Sequence, residues 1–460
     1  MGDNGYGRFV RNKAQLDGDF GFEPKFVPSF LFDFQADLVR WAVRKGRAAI
    51  FADCGLGKTL MELVWADNVH QHTGKPILIL TPLAVGAQFE REASRFGLDA
   101  ARSSGGKPNT SIVITNYERL HLFDPDEYGG VVCDESSILK SFDGMRRKQI
   151  TEFMRLKKYR LLGTATAAPN NFTELGTSSE ALGYLGHMDM LSRYFTNKRR
   201  TTHQIRGRWR DADNGWRFKG HAVQSFWRWV ASWARALRNP SDMGYDDNGF
   251  ILPSLNIEQH KVKPNSPPPG MLLNLPAVGL QEQRAERRRT IDERCEMAAT
   301  LANGTDEAVV MWASLNDEAD RLERLVPDAV QVAGRHSSEV KEERLESFSN
   351  GDVRVLVTKP KIGAWGLNWQ HCNHITFFPT HSYEQYYQAV RRCWRFGQER
   401  PVTVDIVATE GEVLVQENLQ KKAKQADQMF IELVAHMKDS IEVNRLNAYT
   451  RDVRVPTWLS

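Results

Sequence analysis

Cysteine is scarce in this chain. Only Cys54, Cys133, Cys295, Cys372 and Cys393 occur in 460 residues, and no two form a CxxC pair. A scattered, odd-numbered set excludes a disulfide framework and points to a reducing compartment. Long apolar runs are missing too. No stretch approaches the ~20 residues a membrane helix needs, which argues against a membrane partner. The N-terminal run MGDNGYGRFVRNKAQLDGDFGF has no apolar core of the signal-peptide kind. With 19 prolines and 34 glycines, the chain is neither collagen-like nor of low complexity. What is present is ordinary for a globular protein: 41 % hydrophobic and 26 % charged residues. The length predicts two large domains or about three of common size. Net charge is only +4, but it is unevenly spread. From Arg193 to Pro240 stand twelve Lys/Arg against two acids, Asp211 and Asp213. A local excess of that kind points to a polyanion partner.

Apolar strand-type runs alternate with helical patterns from residue 28 to 190. The expected strands are Ala48–Phe51, Ile77–Leu80, Ile112–Thr115, Val131–Cys133 and Arg160–Gly163, with helices such as Thr59–Val69 and Val85–Phe96 between them. The alternation predicts an α/β fold with a parallel sheet covered on both faces. Residues 1–27 read as an N-terminal arm. Residues 191–263 break the rhythm as a basic, Trp-rich and mainly helical insert that ends in an extended-looking run. Five prolines between Val262 and Gly279 place a linker over 264–279. A second alternating block fills 280–440, and 441–460 form a tail. Its expected strands are Ala308–Trp312, Ala329–Val332, Val353–Thr358, His374–Phe378 and Val402–Val407, followed by a helix from about Val413 to Val443.

The sharpest signal is Ala48-Ala-Ile-Phe-Ala-Asp-Cys-Gly-Leu-Gly-Lys-Thr59, an apolar strand running into a glycine loop that opens a helix. Gly55 and Gly57 let backbone N–H groups approach phosphate oxygens, and the helix N-terminus adds partial positive charge. Lys58 would neutralise β- and γ-phosphate charge, and the Thr59 hydroxyl would hold Mg²⁺. The second signal is Gly129-Gly-Val-Val-Cys-Asp-Glu135. At the end of an apolar strand, Asp134 would hold Mg²⁺ and Glu135 would activate the attacking water. The third is Tyr383-Glu-Gln-Tyr-Tyr-Gln-Ala-Val-Arg-Arg-Cys-Trp-Arg-Phe-Gly-Gln398. On a helix, Gln388, Arg392 and Arg395 share one face, and the arginines are candidates for fingers on γ-phosphate. His371-Cys-Asn-His374 lacks a second ligand pair at zinc spacing, so no metal is expected there.

Together these segments resemble the superfamily-two helicases in their Swi/Snf-type branch. The resemblance covers about residues 28–190 and 280–430. It implies two RecA-like parallel-sheet lobes with ATP and Mg²⁺ between them and nucleic acid across both. It assigns nucleotide contacts to Gln35, Gly55, Leu56, Gly57, Lys58 and Thr59, and to Gly366, Asn368 and Gln388 of the second block. Thr81 and Pro82, with Asn116 in Ile114-Thr-Asn-Tyr117, resemble motifs that touch a nucleic-acid backbone. Thr164 and Thr166 in Arg160-Leu-Leu-Gly-Thr-Ala-Thr166 resemble the motif that couples hydrolysis to movement, and the resemblance counts both among the nucleic-acid contacts. Two positions depart from the family pattern. Ser137 stands where His is usual after the Asp-Glu pair, and Ala165 stands where Gly is usual. Both bear on coupling rather than on hydrolysis. The runs Ala236–Tyr245, Asn368–Cys372 and Ser382–Tyr387 resemble compact phage-encoded DNA helicases. That implies a monomeric enzyme of DNA replication or recombination in the host bacterial cytoplasm, with replication or recombination proteins as partners.

The insert adds a residue-level expectation. Arg199, Arg200, Arg206, Arg208 and Arg210 follow no helical period and read as phosphate contacts. Phe226, Val230, Trp233 and Leu237 follow a helical stripe and read as core. Three functions fit the residues. The first is a DNA-stimulated ATPase that translocates on, remodels or unwinds duplex, forked or branched DNA. The second is an RNA helicase, and the third is a nucleotide-gated DNA clamp with slow turnover.

Overall fold

Strands buried on both faces read as unbroken apolar runs, and those runs form two parallel sheets here. The computed structural model describes residues 19–106, 110–140, 144–197, 215–265, 280–363 and 367–449. The chain divides into two units, one of residues 1–246 and 426–460, the other of residues 247–425.

The first unit is built on β1 (Arg47–Ala52), β2 (Ile77–Thr81), β3 (Ala100–Arg102), β4 (Ile112–Asn116), β5 (Gly130–Cys133) and β6 (Tyr159–Gly163). β7 (Phe195–Asn197) and β8 (Trp216–Phe218) form a separate antiparallel pair. β9 (Ala234–Leu237) returns to the main sheet, whose order is β3-β4-β2-β5-β6-β1-β9, with every pairing parallel. Helix Lys58–Thr73 follows β1 and is buried from Leu60 to Ala66 and again at Asn68 and Val69.

The second unit holds β10 (Leu255–Val262), β11 (Val309–Trp312), β12 (Ala329–Val332), β13 (Val355–Thr358), β14 (His374–Phe377) and β15 (Val402–Thr409). Their order is β10-β15-β14-β11-β13-β12, again all parallel. Apolar clusters cover both faces. One includes Val310, Trp312, Leu356, Ile375 and Phe377, the other Val309, Met311, Val355, Val357 and Val407. This is the expected pair of RecA-like lobes, with the ten anticipated strands in place to within about two residues at each end.

The expected insert is redistributed. Helix Val223–Ala231 ends before the stripe does, and Leu237 lies on β9 beside β1. Phe226, Val230, Trp233 and Leu237 are all fully buried, so the core assignment holds while the single helix does not. A strand won there because it completes the sheet. Ala49 N–H donates to the Trp233 carbonyl and Asp53 N–H to the Leu237 carbonyl, tying β9 to the end of β1. Trp227 and Trp229 are buried as well, with the Trp229 and Trp233 rings 5.6 Å apart. These rings are core, not surfaces for stacking bases. The extended run at the insert's end is β10, paired with β15 over Leu255–Val262. It belongs to the second sheet. At the other end, helix Val413–Tyr449 joins the first unit from Ala426 onward, where Met429, Phe430 and Leu433 enter its core. Most of the expected 264–279 linker lies outside the described residues.

Candidate functional site

β1 delivers the chain at Ala52 into the loop Asp53–Gly57, and the helix starts at Lys58. Gly55 and Gly57 have φ of 92° and 75°, which L side chains rarely adopt. Gly57 is also crowded, since a Cβ there would lie 2.4 Å from Gln35 Nε2. Gln35 is buried and uses both ends of its amide. Its Nε2 donates to the Leu56 carbonyl at 2.9 Å, and its Oε1 accepts from Phe32 N–H at 3.1 Å. It therefore braces the loop as well as standing beside it. Lys58 Nζ arches over the loop and donates to the carbonyls of Ala52 at 2.8 Å and Asp53 at 3.3 Å. A phosphate oxygen is a stronger acceptor than a carbonyl, so these are bonds the amine can exchange.

The order β5-β6-β1 sets the ends of three adjacent strands beside this loop. Asp134 and Glu135 follow β5, and Thr164 follows β6. Glu135 is the one non-glycine residue with positive φ, 48°, among the described residues. Such strain persists where the surroundings over-determine it, as at working sites. Here the surroundings are visible. The Tyr117 hydroxyl donates to the carbonyl of Asp134, and Ser137 Oγ donates to the Glu135 carbonyl at 3.4 Å. Thr164 Oγ1 donates to Glu135 Oε2 at 3.2 Å and accepts from Thr166 N–H at 3.0 Å. Burial, and next the Glu135 charge, push the Asp134 carboxyl up to about 8, against the pull of Lys58.

One group at this site escapes the motif reading. Glu62 lies one turn beyond Lys58, wholly buried, and neither carboxylate oxygen has a hydrogen-bond partner among the described residues. Tyr117 also has a role its sequence context did not suggest, because it holds the acid loop rather than presenting to a surface. An Mg²⁺ ion takes hard oxygen donors. The Thr59 hydroxyl, the buried Asp134 carboxylate and the orphaned oxygens of Glu62 suit that chemistry. Thr59 and Asp134 would hold the ion, which would neutralise phosphate charge.

In the second unit, helix Tyr383–Val390 ends before the arginines. Arg392 and Arg395 stand in the turns that follow, and one carbonyl gathers them. Both donate to Leu367 O, at 3.0 and 3.2 Å. Arg392 also bonds Gln388 Oε1 at 2.8 Å. Gln388 is fully buried and serves as a holder of Arg392, while Asn368 is exposed. Gly366 lies outside the described residues.

The expected nucleic-acid contacts divide. Thr81 and Asn116, at the ends of neighbouring β2 and β4, line one cleft of about 320 Å³ together with Arg102 and Arg119. Pro82, half-buried, follows Thr81. Thr164 and Thr166 are 1 % and 5 % exposed, and Thr164 donates to Glu135 of the acid loop. Arg199, Arg200, Arg206, Arg208 and Arg210 lie outside the described residues. A second cavity of about 410 Å³ opens beyond β11 and β13 and is lined by Arg284, Lys359 and Lys361 among others.

Residues 293–397 match the model of the helicase conserved C-terminal domain. The putative ATP-dependent helicase/translocase YwqA of Bacillus subtilis is 23 % identical over 468 residues, covering 88 % of this chain and 49 % of that protein. The CHD3-type chromatin-remodeling factor CHR7 of Arabidopsis thaliana is 25 % identical over 193 residues, 36 % of this chain and 16 % of that one. The bifunctional helicase and thymine dioxygenase JBP2 of Leishmania major is 36 % identical over 96 residues, 20 % of this chain and 9 % of that protein. The chain thus spans about half the length of YwqA and far less of the other two. It is a helicase-like chain with two parallel-sheet lobes. Among the described residues no helix is long and apolar enough to cross a membrane.

Proposed function

We propose that this chain is a Swi/Snf-type, Mg²⁺-dependent ATPase that translocates on DNA and remodels or unwinds duplex, forked or branched substrates. One observation carries the reading. The phosphate loop, Asp134–Glu135 and Thr164 stand at the ends of three adjacent strands, β1, β5 and β6, in a chain that also matches the helicase C-terminal domain. Lys58 and the loop N–H groups bind the phosphates. Thr59 and Asp134 hold Mg²⁺, and Glu135, oriented by Thr164, takes the proton of the attacking water. Arg392 and Arg395 act on the γ-phosphate during hydrolysis. The link from Glu135 through Thr164 to Thr166 is a hydrogen-bonded path by which the hydrolytic acid senses the coupling segment. The basic stretch around 198–210 contributes phosphate contacts, and DNA replication or recombination is the proposed setting.

The test is the steady-state ATPase rate alone, then with single-stranded, duplex and forked DNA, then with RNA. Stimulation by duplex or forked DNA is expected. Lys58→Ala should abolish turnover. Arg395→Ala should leave nucleotide binding near wild type and slow hydrolysis by roughly 10³-fold, the scale of an arginine finger. Stimulation by RNA alone would replace the DNA reading with an RNA helicase. A slow rate indifferent to every nucleic acid would leave a nucleotide-gated clamp.

A further inference from the structure

Helix Lys58–Thr73 is apolar nearly all round where it is buried, with Leu60, Met61, Leu63, Val64 and Trp65 packed inward. Glu62 interrupts that set. It is 1 % exposed, and both its oxygens lack a hydrogen-bond partner among the described residues. A buried carboxyl without partners is costly, and an apolar side chain of similar volume would suit this interior better.

Its surroundings show where it points. Being four residues past Lys58, it shares that residue's helix face. The charges that act on it are, in order, those of Asp134, Lys58, Glu135 and Glu92. Space for it exists because β6 ends in Gly163. A Cβ at that position would lie 1.7 Å from Glu62 Oε1. A glycine without special φ thus gives its side-chain volume to this carboxyl. Burial first, and then the Asp134 charge, push Glu62 well above the usual carboxylate range, with Lys58 opposing.

Mg²⁺ sheds its water reluctantly and normally keeps several water ligands. Those waters are strong donors that need acceptors around the ion, and groups in that outer position tune affinity by 10–100-fold. We propose that Glu62 is a positioning residue of the nucleotide site, whose carboxyl accepts hydrogen bonds from the water ligands of the nucleotide-bound Mg²⁺. The proposal rests on the ATP-site reading given above. It makes Glu62 an outer-sphere partner beside Asp134, with no covalent part in hydrolysis.

The experiment compares wild type, Glu62→Leu, Glu62→Gln and Lys58→Ala by thermal melting. Each is melted without ligand, with ADP in EDTA, and with ADP over a Mg²⁺ titration. Without ligand, Glu62→Leu should melt higher than wild type, because an orphaned acid has gone. Its ADP shift in EDTA should match wild type. Its Mg²⁺ half-saturation should rise by about tenfold or more, and Glu62→Gln, which keeps one acceptor oxygen, should rise less. A purely structural residue would move melting without moving the Mg²⁺ response. Wild-type Mg²⁺ half-saturation in Glu62→Leu overturns the proposal. If that variant does not fold, wild-type half-saturation in Glu62→Gln overturns it. Lys58→Ala should lose the ADP shift with and without Mg²⁺. If it keeps the shift, the nucleotide-site reading itself fails, and that failure is separate from any result at position 62.

Discussion

Thr164 shows how one hydroxyl can join two roles. It donates to Glu135 Oε2 and accepts from Thr166 N–H, and it is almost wholly buried. The side chain donates to Glu135, the residue proposed above to take the proton of the attacking water. A hydrogen bond to a charged group contributes about 1.5–3 kcal/mol. Thr164→Val keeps the shape and deletes both bonds. It should lower kcat by roughly 10–100-fold while leaving the KM for ATP near wild type. Unchanged turnover would show that Glu135 is not oriented through this residue. Lys58, Asp134 and Glu135 stand out in the sequence because the chemistry proposed for them needs fixed residue types at the end of an apolar strand. Glu62 was not, since a lone acid in a helix reads as a solvated position until the packing around it is known.

Among the elements, β10 depends on its pairing with β15. Most of its residues are exposed, and its strand pattern carries little apolar signal. It is fastened by a side-chain clasp. Asp405 on β15 accepts from His260 Nε2 of β10 at 2.7 Å and from His374 Nε2 of β14 at 2.5 Å. His374, the first residue of β14, therefore bonds a carboxylate. Burial alone would raise the Asp405 carboxyl, but the bonds from His374 and His260 outweigh it and hold the group below its ordinary value of 3.8. A lowered carboxyl stabilises the fold above its unfolded value, and that stability is lost as pH falls through the lower folded value. Asp405→Asn should cost about 1–3 kcal/mol at pH 7, because the amide puts an NH2 group where one imidazole now meets a carboxylate oxygen. In urea titrations the gap to wild type should persist down to about pH 4 and narrow below it. A gap of equal size at pH 7 and pH 3 would mean that the clasp does not act through the ionised carboxylate.

At the scale of the whole molecule, charge rather than shape carries the polyanion reading. The excess of basic residues between Arg193 and Pro240 is far greater than the net +4 of the chain. Trp227, Trp229 and Trp233 of that stretch are spent on the core of the first unit, and Trp216 packs partly buried against it. The phosphate contacts proposed for that stretch are its cations. If six phosphates are neutralised, observed DNA affinity should fall with salt with a log–log slope of about −5. Replacing Arg206, Arg208 and Arg210 together by Gln should flatten that slope by about 2.7. The DNA-free ATPase rate should stay at wild type. A slope indifferent to the triple substitution would remove this segment from the interface.

By itself the sequence determined the class of fold and marked the place of the proposed phosphate site. Parallel strands buried on both faces leave continuous apolar runs, and glycine loops and strand-end acids are local patterns. Tertiary structure alone decided which strands are neighbours, and so brought Asp134, Glu135 and Thr164 to the phosphate loop. It also turned the end of a helical stripe into β9, sent β10 to the second sheet, and carried the helix beyond Ala426 into the first unit's core. Those outcomes follow from pairing an edge and filling a core. Partners far away in the chain supply both, and a local period of three or four residues does not encode them.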